Sequence, residues 1–390
     1  MKFQRATFSL IFLFLGSSAA FAQEAKLEFQ PDPDAVGFKK DTIRKLDAAM
    51  EKQIAEKKVS GLIGLIARDG KVGYYETYGQ QSIDQDQPMA KDTLFRIYSM
   101  TKPIVAVTAM AIWEEGKFKL DDPIAKHCPE WKAALVQKGG ETESARNPVS
   151  VRQLLTHSSG LTYDRKGLDL SPTATLEEFS ISAAKKPLKF HPGTQYTYGY
   201  STDILGRFIE AVEGKPLDVV MRERVFDKLN MNDTEFWVRN AGDRGRVATA
   251  YAKGKDGKLK PAMKIDDVMK KPARMMGGQG LMSTTEDYAR FCAMMANKGE
   301  YRGARVLKKE TVELMTQNHL KEIKKIYGLG GMVNGKGGYQ WGGAAGTRFW
   351  VDTKDNGYGV FMVQTWGYSA PTFGVFEKHA REILGKPPKK

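Results

Sequence analysis

A chain of 390 residues, 41% apolar and 27% charged, is ordinary for a globular protein and long enough for one large domain or two fused ones. The formal charge of +14 is scattered, with small clusters at Lys270-Lys271 and at Lys386, Lys389 and Lys390. No aromatic-interleaved basic stripe accompanies it, which argues against a nucleic-acid partner and leaves a basic surface suited to anionic envelope polymers.

In chain order, Lys2 and Arg5 precede an apolar run from Phe8 to Leu15, then small residues and Ala20-Phe21-Ala22. That order predicts a secretory signal peptide over residues 1–22, cleaved after Ala22, and a periplasmic or secreted product. The run is shorter than the roughly 20 apolar residues that span a bilayer, and no later stretch is long enough, so no stable membrane insertion is expected. Gly61 to Ala67, Arg68-Asp69-Gly70 and Lys71 to Tyr75 read as a hairpin with an Asp-Gly turn. Leu94 to Tyr98 reads as a strand leading into a helix from Ser99 to Glu115, apolar nearly all round and therefore buried. The stretch from about Leu120 to Met263 reads as mostly helical, including Val151 to Leu155, Thr175 to Ala184 and Asp203 to Glu213. A helix over Tyr288 to Asn297, strands over Gly338 to Val351 and Tyr358 to Trp366, and a helix over Val375 to Leu384 complete the chain. These elements predict an α+β fold within residues 23–390. Its sheet is built from the N- and C-terminal parts, about 35–98 and 264–390. A mostly helical part, about 99–263, faces the sheet across an active-site cleft.

Ser99-Met-Thr-Lys102 matches S-x-x-K, a motif with only two fixed residues, and Ser182-Ala-Ala-Lys185 matches it too. Ser99 opens the buried helix, with Pro103 in the first turn where proline is tolerated. Ser182 falls in the last turn of a solvated helix before Pro187 and is assigned no chemistry. Residues i and i+3 share a helix face, so the Lys102 amine can reach the Ser99 hydroxyl. The helix N-terminus favours a developing oxyanion. Ser99 and Lys102 are therefore expected to form an acylation pair. Cys128 and Cys292 have no metal-ligand spacing and read as buried free thiols, although one bridge is possible in an oxidising compartment. His127, His191, His319 and His379 are isolated, and no HExxH occurs, so no metal or other cofactor is expected. No G-x-S-x-G elbow supports an α/β-hydrolase plan.

The stretch Leu94-Phe-Arg-Ile-Tyr-Ser99-Met-Thr-Lys102-Pro, followed by Leu120-Asp-Asp122, resembles the serine β-lactamase and penicillin-binding protein superfamily. Within it, the chain is similar to the class C-like branch that includes family VIII esterases. Four further blocks agree in order: Leu154 to Leu161 with His157, Pro192-Gly193 with Tyr198 to Gly206, Gly278 to Thr284, and Trp341 to Thr347. The resemblance implies an antiparallel sheet flanked by helices, beside a mostly helical second domain. It implies Tyr198 as a proton-shuttling phenol, and the Ser99 and Ala344 N–H groups as an oxyanion hole. Two departures stand out. Tyr198-Gly-Tyr200 lacks the amide of Tyr-x-Asn, and Trp341-Gly342-Gly343 replaces Lys-Thr-Gly, removing a cation that would meet a substrate carboxylate. Losing such a charge-assisted contact costs roughly 1.5–3 kcal/mol. Trp341, Gly342, Gly343 and Tyr200 are then expected to line the substrate site, and Arg348 could replace the missing cation if it turned into the cleft. His157 reads as a structural hydrogen-bonding residue and Asp203 as a helix cap.

The expected function is an exported serine hydrolase that forms an acyl-enzyme at Ser99, a carboxylesterase acting on small acyl esters. A β-lactamase or D-alanyl-D-alanine carboxypeptidase acting on a cell-wall-derived substrate is the alternative. A catalytically inactive envelope- or peptide-binding protein is a third reading of another class.

Overall fold

The computed structural model describes residues 27–30, 32–366 and 371–385, so the expected signal peptide lies outside the described residues. Its main sheet contains β1 (Glu28–Phe29), β2 (Gly61–Arg68), β3 (Lys71–Ser82), β4 (Met332–Val333), β5 (Gly338–Gly342), β6 (Arg348–Asp352) and β7 (Gly357–Val363), in the spatial order β1-β3-β2-β7-β6-β5-β4. All its pairs are antiparallel except β1 with β3. The helices that matter for the site are α1 (Lys40–Ala55), α2 (Thr101–Glu114), α3 (Ser201–Glu213), α4 (Thr285–Ala296) and α5 (Pro371–Ile383).

The continuous apolar run of β2 is explained by burial on both faces of the sheet. Leu62 and Ile66 pack with Leu46 and Met50 of α1 and Phe376 and Ala380 of α5. Ile63, Leu65 and Ala67, one residue out of phase, join the larger core with α2 and α4. Gly64 is on the first face, where a Cβ would stand 2.4 Å from the Phe376 ring. The hairpin between β2 and β3 turns at Asp69 and Gly70, with φ of 51° and 76°, as the primed turn of an Asp-Gly pair requires. Among the described residues no helix is long and apolar enough to cross a membrane.

Three local expectations change. The Leu94–Tyr98 strand shrinks to Phe95–Arg96, because Tyr98 enters the turn that carries Ser99. The Gly338–Val351 strand splits into β5 and β6, separated by a tight turn at Gly343 to Thr347 in which Gly346 takes a φ of 99°. The middle of the chain is also less helical than its pattern suggests. Leu135–Lys138 and Glu141–Ser144 form a hairpin around Gly139 and Gly140, both at positive φ, and Tyr251–Lys253 pairs with Leu259–Pro261 and with Thr365–Trp366. Cys128 and Cys292 are both buried and free.

Candidate active site

Ser99 sits in a short 3-10 turn, Tyr98–Met100, that runs directly into α2. The preceding residue, Tyr98, has a φ of 44°, a left-handed conformation that costs a non-glycine residue about 1 kcal/mol or more. Packing holds it there: its ring meets Trp366 edge-on at 4.8 Å, and the Arg96 guanidinium lies 4.8 Å from its centroid. The turn aims the Ser99 hydroxyl at the cleft while α2, with twelve buried residues from Thr101 to Ile112, anchors its back.

The S-x-x-K spacing brings Lys102 to its serine. Lys102 is fully buried, and its Nζ donates to Ser99 Oγ at 3.2 Å, to the Gly278 carbonyl at 2.6 Å and to the Tyr163 phenol at 3.0 Å. The Tyr198 phenol donates to Ser99 Oγ at 2.7 Å. Tyr198 is aligned by the Thr197 N–H, which donates to the His157 carbonyl at 2.9 Å, and by ring contacts with His157 at 4.8 Å and Trp341 at 5.5 Å. The second motif copy has a local use: the Ser182 hydroxyl donates to the Phe179 carbonyl at 2.7 Å, and Lys185 is exposed at the helix end.

The β5–β6 turn supplies the opposite wall. Gly343 has no room for a side chain, since a Cβ would lie 2.3 Å from Thr347 Oγ1 and 2.4 Å from the Ile97 carbonyl. This close approach clamps the turn to the strand before Ser99 and presents Ala344, whose N–H makes no hydrogen bond among the described residues. Ser99, Tyr198, Trp341, Gly342, Gly343 and Ala344 line a cavity of about 650 Å³ with Tyr196, Met332, Gln340, Arg348, Phe349, Phe373 and Glu377. Arg348 does reach the cleft. It stands opposite Gly342 in the strand register, where a Cβ would fall 2.5 Å from its Cδ, and its guanidinium lies 5.8 Å from the Phe373 ring centroid. A wider surface groove of about 940 Å³, lined by residues such as Thr173, Arg207, Glu210 and Lys271, contains neither Ser99 nor Lys102.

Three sequence expectations are corrected. Tyr200 does not line the cavity. It is buried behind Tyr163, with ring centroids 4.7 Å apart, and rests on Phe179 at 5.2 Å. Asp203 is not a helix cap. It is buried in the first turn of α3, and its carboxylate accepts the Gly278 N–H at 2.7 Å. Burial pushes its carboxyl up to about 6, partly offset by the Lys102 charge and the Gly278 N–H. The structural hydrogen bonds of His157 are those of its backbone, whose φ is 55°; its ring is held by packing among Tyr196, Tyr198 and Tyr327, and its Nδ1 has no hydrogen-bond partner among the described residues. Burial, reinforced by Lys102, drives its imidazole well below the usual histidine range and keeps it neutral. Tyr163 and the Asp203–Gly278 link have no local motif. The one clue to Tyr163 is its place just after the Gly160-Leu161 block.

The beta-lactamase family profile matches residues 46–385. Rv1367c from Mycobacterium tuberculosis is 32% identical over 329 residues, covering 81% of this chain and 78% of that protein. Esterase EstB from Burkholderia gladioli is 29% identical over 290 residues, covering 65% of this chain and 70% of EstB. Among solved structures, EstCE1, described as a hydrolase with promiscuous acyltransferase activity, superposes with a TM-score of 0.76 at 24% identity, covering 88% of this chain and 98% of that one. With a profile match over most of its length and this fold, the chain belongs to the beta-lactamase family.

Proposed function

We propose that the protein is an exported serine hydrolase that cleaves small acyl esters through an acyl-enzyme at Ser99. The observation that carries this reading is the pair of hydrogen bonds to Ser99 Oγ, from Lys102 at 3.2 Å and Tyr198 at 2.7 Å, at the edge of an aromatic-walled cavity. In its amine form Lys102 takes the hydroxyl proton as Oγ bonds to the ester carbonyl carbon. The carbonyl oxygen gains the negative charge and is met by the N–H groups of Ser99 and Ala344, each such donor worth about 3 kcal/mol in the transition state. Collapse breaks the bond to the alcohol oxygen, and Tyr198 delivers a proton to the departing alkoxide. Water attacks the acyl-enzyme by the reverse proton path, with Lys102 and Tyr198 serving both halves.

Ester chemistry is supported by the resemblance to EstB and by Trp341, which puts an indole where a lysine would attract a carboxylate. Export rests on the charged, apolar and small-residue order of residues 1–22. Arg348 at the cavity favours one second reading, a β-lactamase or D-alanyl-D-alanine peptidase with its carboxylate anchor moved to the neighbouring strand. Wild type and Ser99→Ala assayed on p-nitrophenyl butyrate, a chromogenic cephalosporin and a D-Ala-D-Ala peptide separate the readings. Turnover of the ester alone, lost by at least about 1,000-fold in Ser99→Ala, is the expected result. Faster turnover of the cephalosporin or the peptide transfers the assignment to the second reading. Ester hydrolysis that survives in Ser99→Ala removes the acyl-enzyme.

A further inference from the structure

Lys102 Nζ has three close oxygen partners: Ser99 Oγ, the Gly278 carbonyl and the Tyr163 phenol. An ammonium has three N–H donors, so in its charged form the lysine is fully satisfied. A neutral amine has two N–H donors and one lone pair. If the Gly278 carbonyl and the Tyr163 oxygen take both N–H groups, the lone pair is left pointing at the Ser99 hydroxyl. With one of these acceptors gone, the amine can turn an N–H toward Ser99 and direct its lone pair elsewhere.

We propose that Tyr163 is a positioning residue for Lys102: its phenol oxygen fixes the rotation of the amine so that the lone pair faces Ser99. This rests on the reading of Ser99 as the nucleophile. The Tyr163 ring is built to hold that oxygen still. It stands edge-on to Tyr198 at 5.3 Å and to Tyr200 at 4.7 Å, and Tyr200 rests on Phe179. The Gly160–Leu161 segment that leads to it is pinned from behind: Gly160 accepts the Lys189 N–H at 2.9 Å, and the Ser159 hydroxyl is 2.9 Å from that of Ser201. Tyr163 is 37% exposed as a residue, but desolvation of its phenol beside the buried Lys102 raises that hydroxyl above its usual range, which keeps it a neutral oxygen. The other titratable groups facing the lysine head are Tyr198, with its ring centroid 4.7 Å from Nζ, and the buried Asp203 and His157, both of which feel its charge. Neither Asp203 nor His157 makes a hydrogen bond to Nζ among the described residues, so neither sets its rotation.

Tyr163→Phe keeps the ring contacts and deletes the oxygen. Steady-state ester hydrolysis as a function of pH and the rate at which a fluorophosphonate labels Ser99 test the idea, with Tyr200→Leu as a packing control. For Tyr163→Phe, kcat and the labelling rate are expected to fall by about 10-fold or more, with KM within about two-fold. The acid limb of the kcat profile should move to lower pH, because the variant loses an acceptor that stabilises the protonated lysine. Tyr200→Leu should lower the melting temperature and leave that limb in place. An unchanged limb and labelling rate in Tyr163→Phe overturns the proposal. So does the same limb shift in both variants, which would make Tyr163 a packing residue only. A wild-type protein that the probe does not label at Ser99 overturns the nucleophile itself, an outcome distinct from failure of the Tyr163 step.

Discussion

Lys102 and Asp203 are both buried, and Gly278 stands between them, its N–H donating to the carboxylate and its carbonyl accepting from Lys102 Nζ. A side chain at Gly278 would fall 2.6 Å from Asp203 Oδ2, so the link depends on glycine. The carboxyl is pushed from the ordinary 3.8 up to about 6, chiefly by burial. The folded state therefore retains a proton there that the unfolded chain has already released. Between about pH 4 and 6 this group makes stability fall as pH rises, and above pH 6 the burial cost is constant. Asp203→Asn keeps an acceptor for the Gly278 N–H and cannot ionise. Relative to wild type, its unfolding free energy should improve by about 2 kcal/mol between pH 4 and pH 8 in urea titrations. A difference that stays flat across that range would show that Asp203 is not a buried charge. The contrast with Lys102 explains what was legible at this scale. Ser99 and Lys102 are three residues apart on one helical turn, so their meeting follows from local geometry. Asp203, Gly278 and Tyr163 meet Lys102 only through tertiary folding, and no spacing in the sequence connects them. Tyr200 misled for a related reason: two residues from Tyr198 in the chain, it lies beneath Tyr163 instead of beside the cavity.

At the scale of elements, the turn between β5 and β6 does the most for the site. Gly342 makes room for Arg348, and Gly343 lets the turn touch the Ile97 carbonyl two residues before Ser99. Gly343→Ala would set a Cβ against backbone that cannot yield as a side-chain tip can, forcing Ala344 and its N–H away from Ser99. The expected result is a loss of about 100-fold in kcat with a small change in KM, as for removal of one oxyanion donor. A variant with wild-type kcat would mean that the Ala344 N–H plays no part in the transition state. The same turn shows the limit of pattern reading. The run from Gly338 to Val351 reads as one glycine-punctuated strand, and the positive φ of Gly346 and the tight approach of Gly343 show that it is two. By contrast, the Gly61–Arg68 run and its Asp-Gly turn were legible because a strand buried on both faces and a primed hairpin leave local marks. The Gly139-Gly140 hairpin carries a comparable mark, but its strands, mostly exposed, give no apolar alternation to support it.

Over the whole molecule, the proposed ester chemistry at Ser99 combines with charge and cavity shape into a prediction about substrate preference. The formal charge is +14 for the whole chain, and +12 once Lys2 and Arg5 leave with the proposed signal peptide. Among the described residues that line the cavity, Arg348 and Glu377 carry the formal charges, and Glu377 pairs with Arg381 one turn along α5. The Arg348 guanidinium thus shares the cleft with Tyr196, Tyr198, Trp341, Phe349 and Phe373. An ester carrying a carboxylate on its acyl arm would gain both from long-range attraction to the basic surface and from Arg348 at short range. A p-nitrophenyl hemisuccinate should accordingly show a higher kcat/KM than the butyrate at low ionic strength. That advantage should shrink as salt rises from about 10 mM to 1 M, since the screening length falls from about 30 to 3 Å. Arg348→Gln should remove the short-range share, raising KM for the hemisuccinate by about 10-fold while leaving the butyrate within about two-fold. A salt-dependent preference that survives in Arg348→Gln would locate recognition in the surface field alone. The absence of any preference would show that Trp341 and its aromatic neighbours govern selection, which would favour neutral esters.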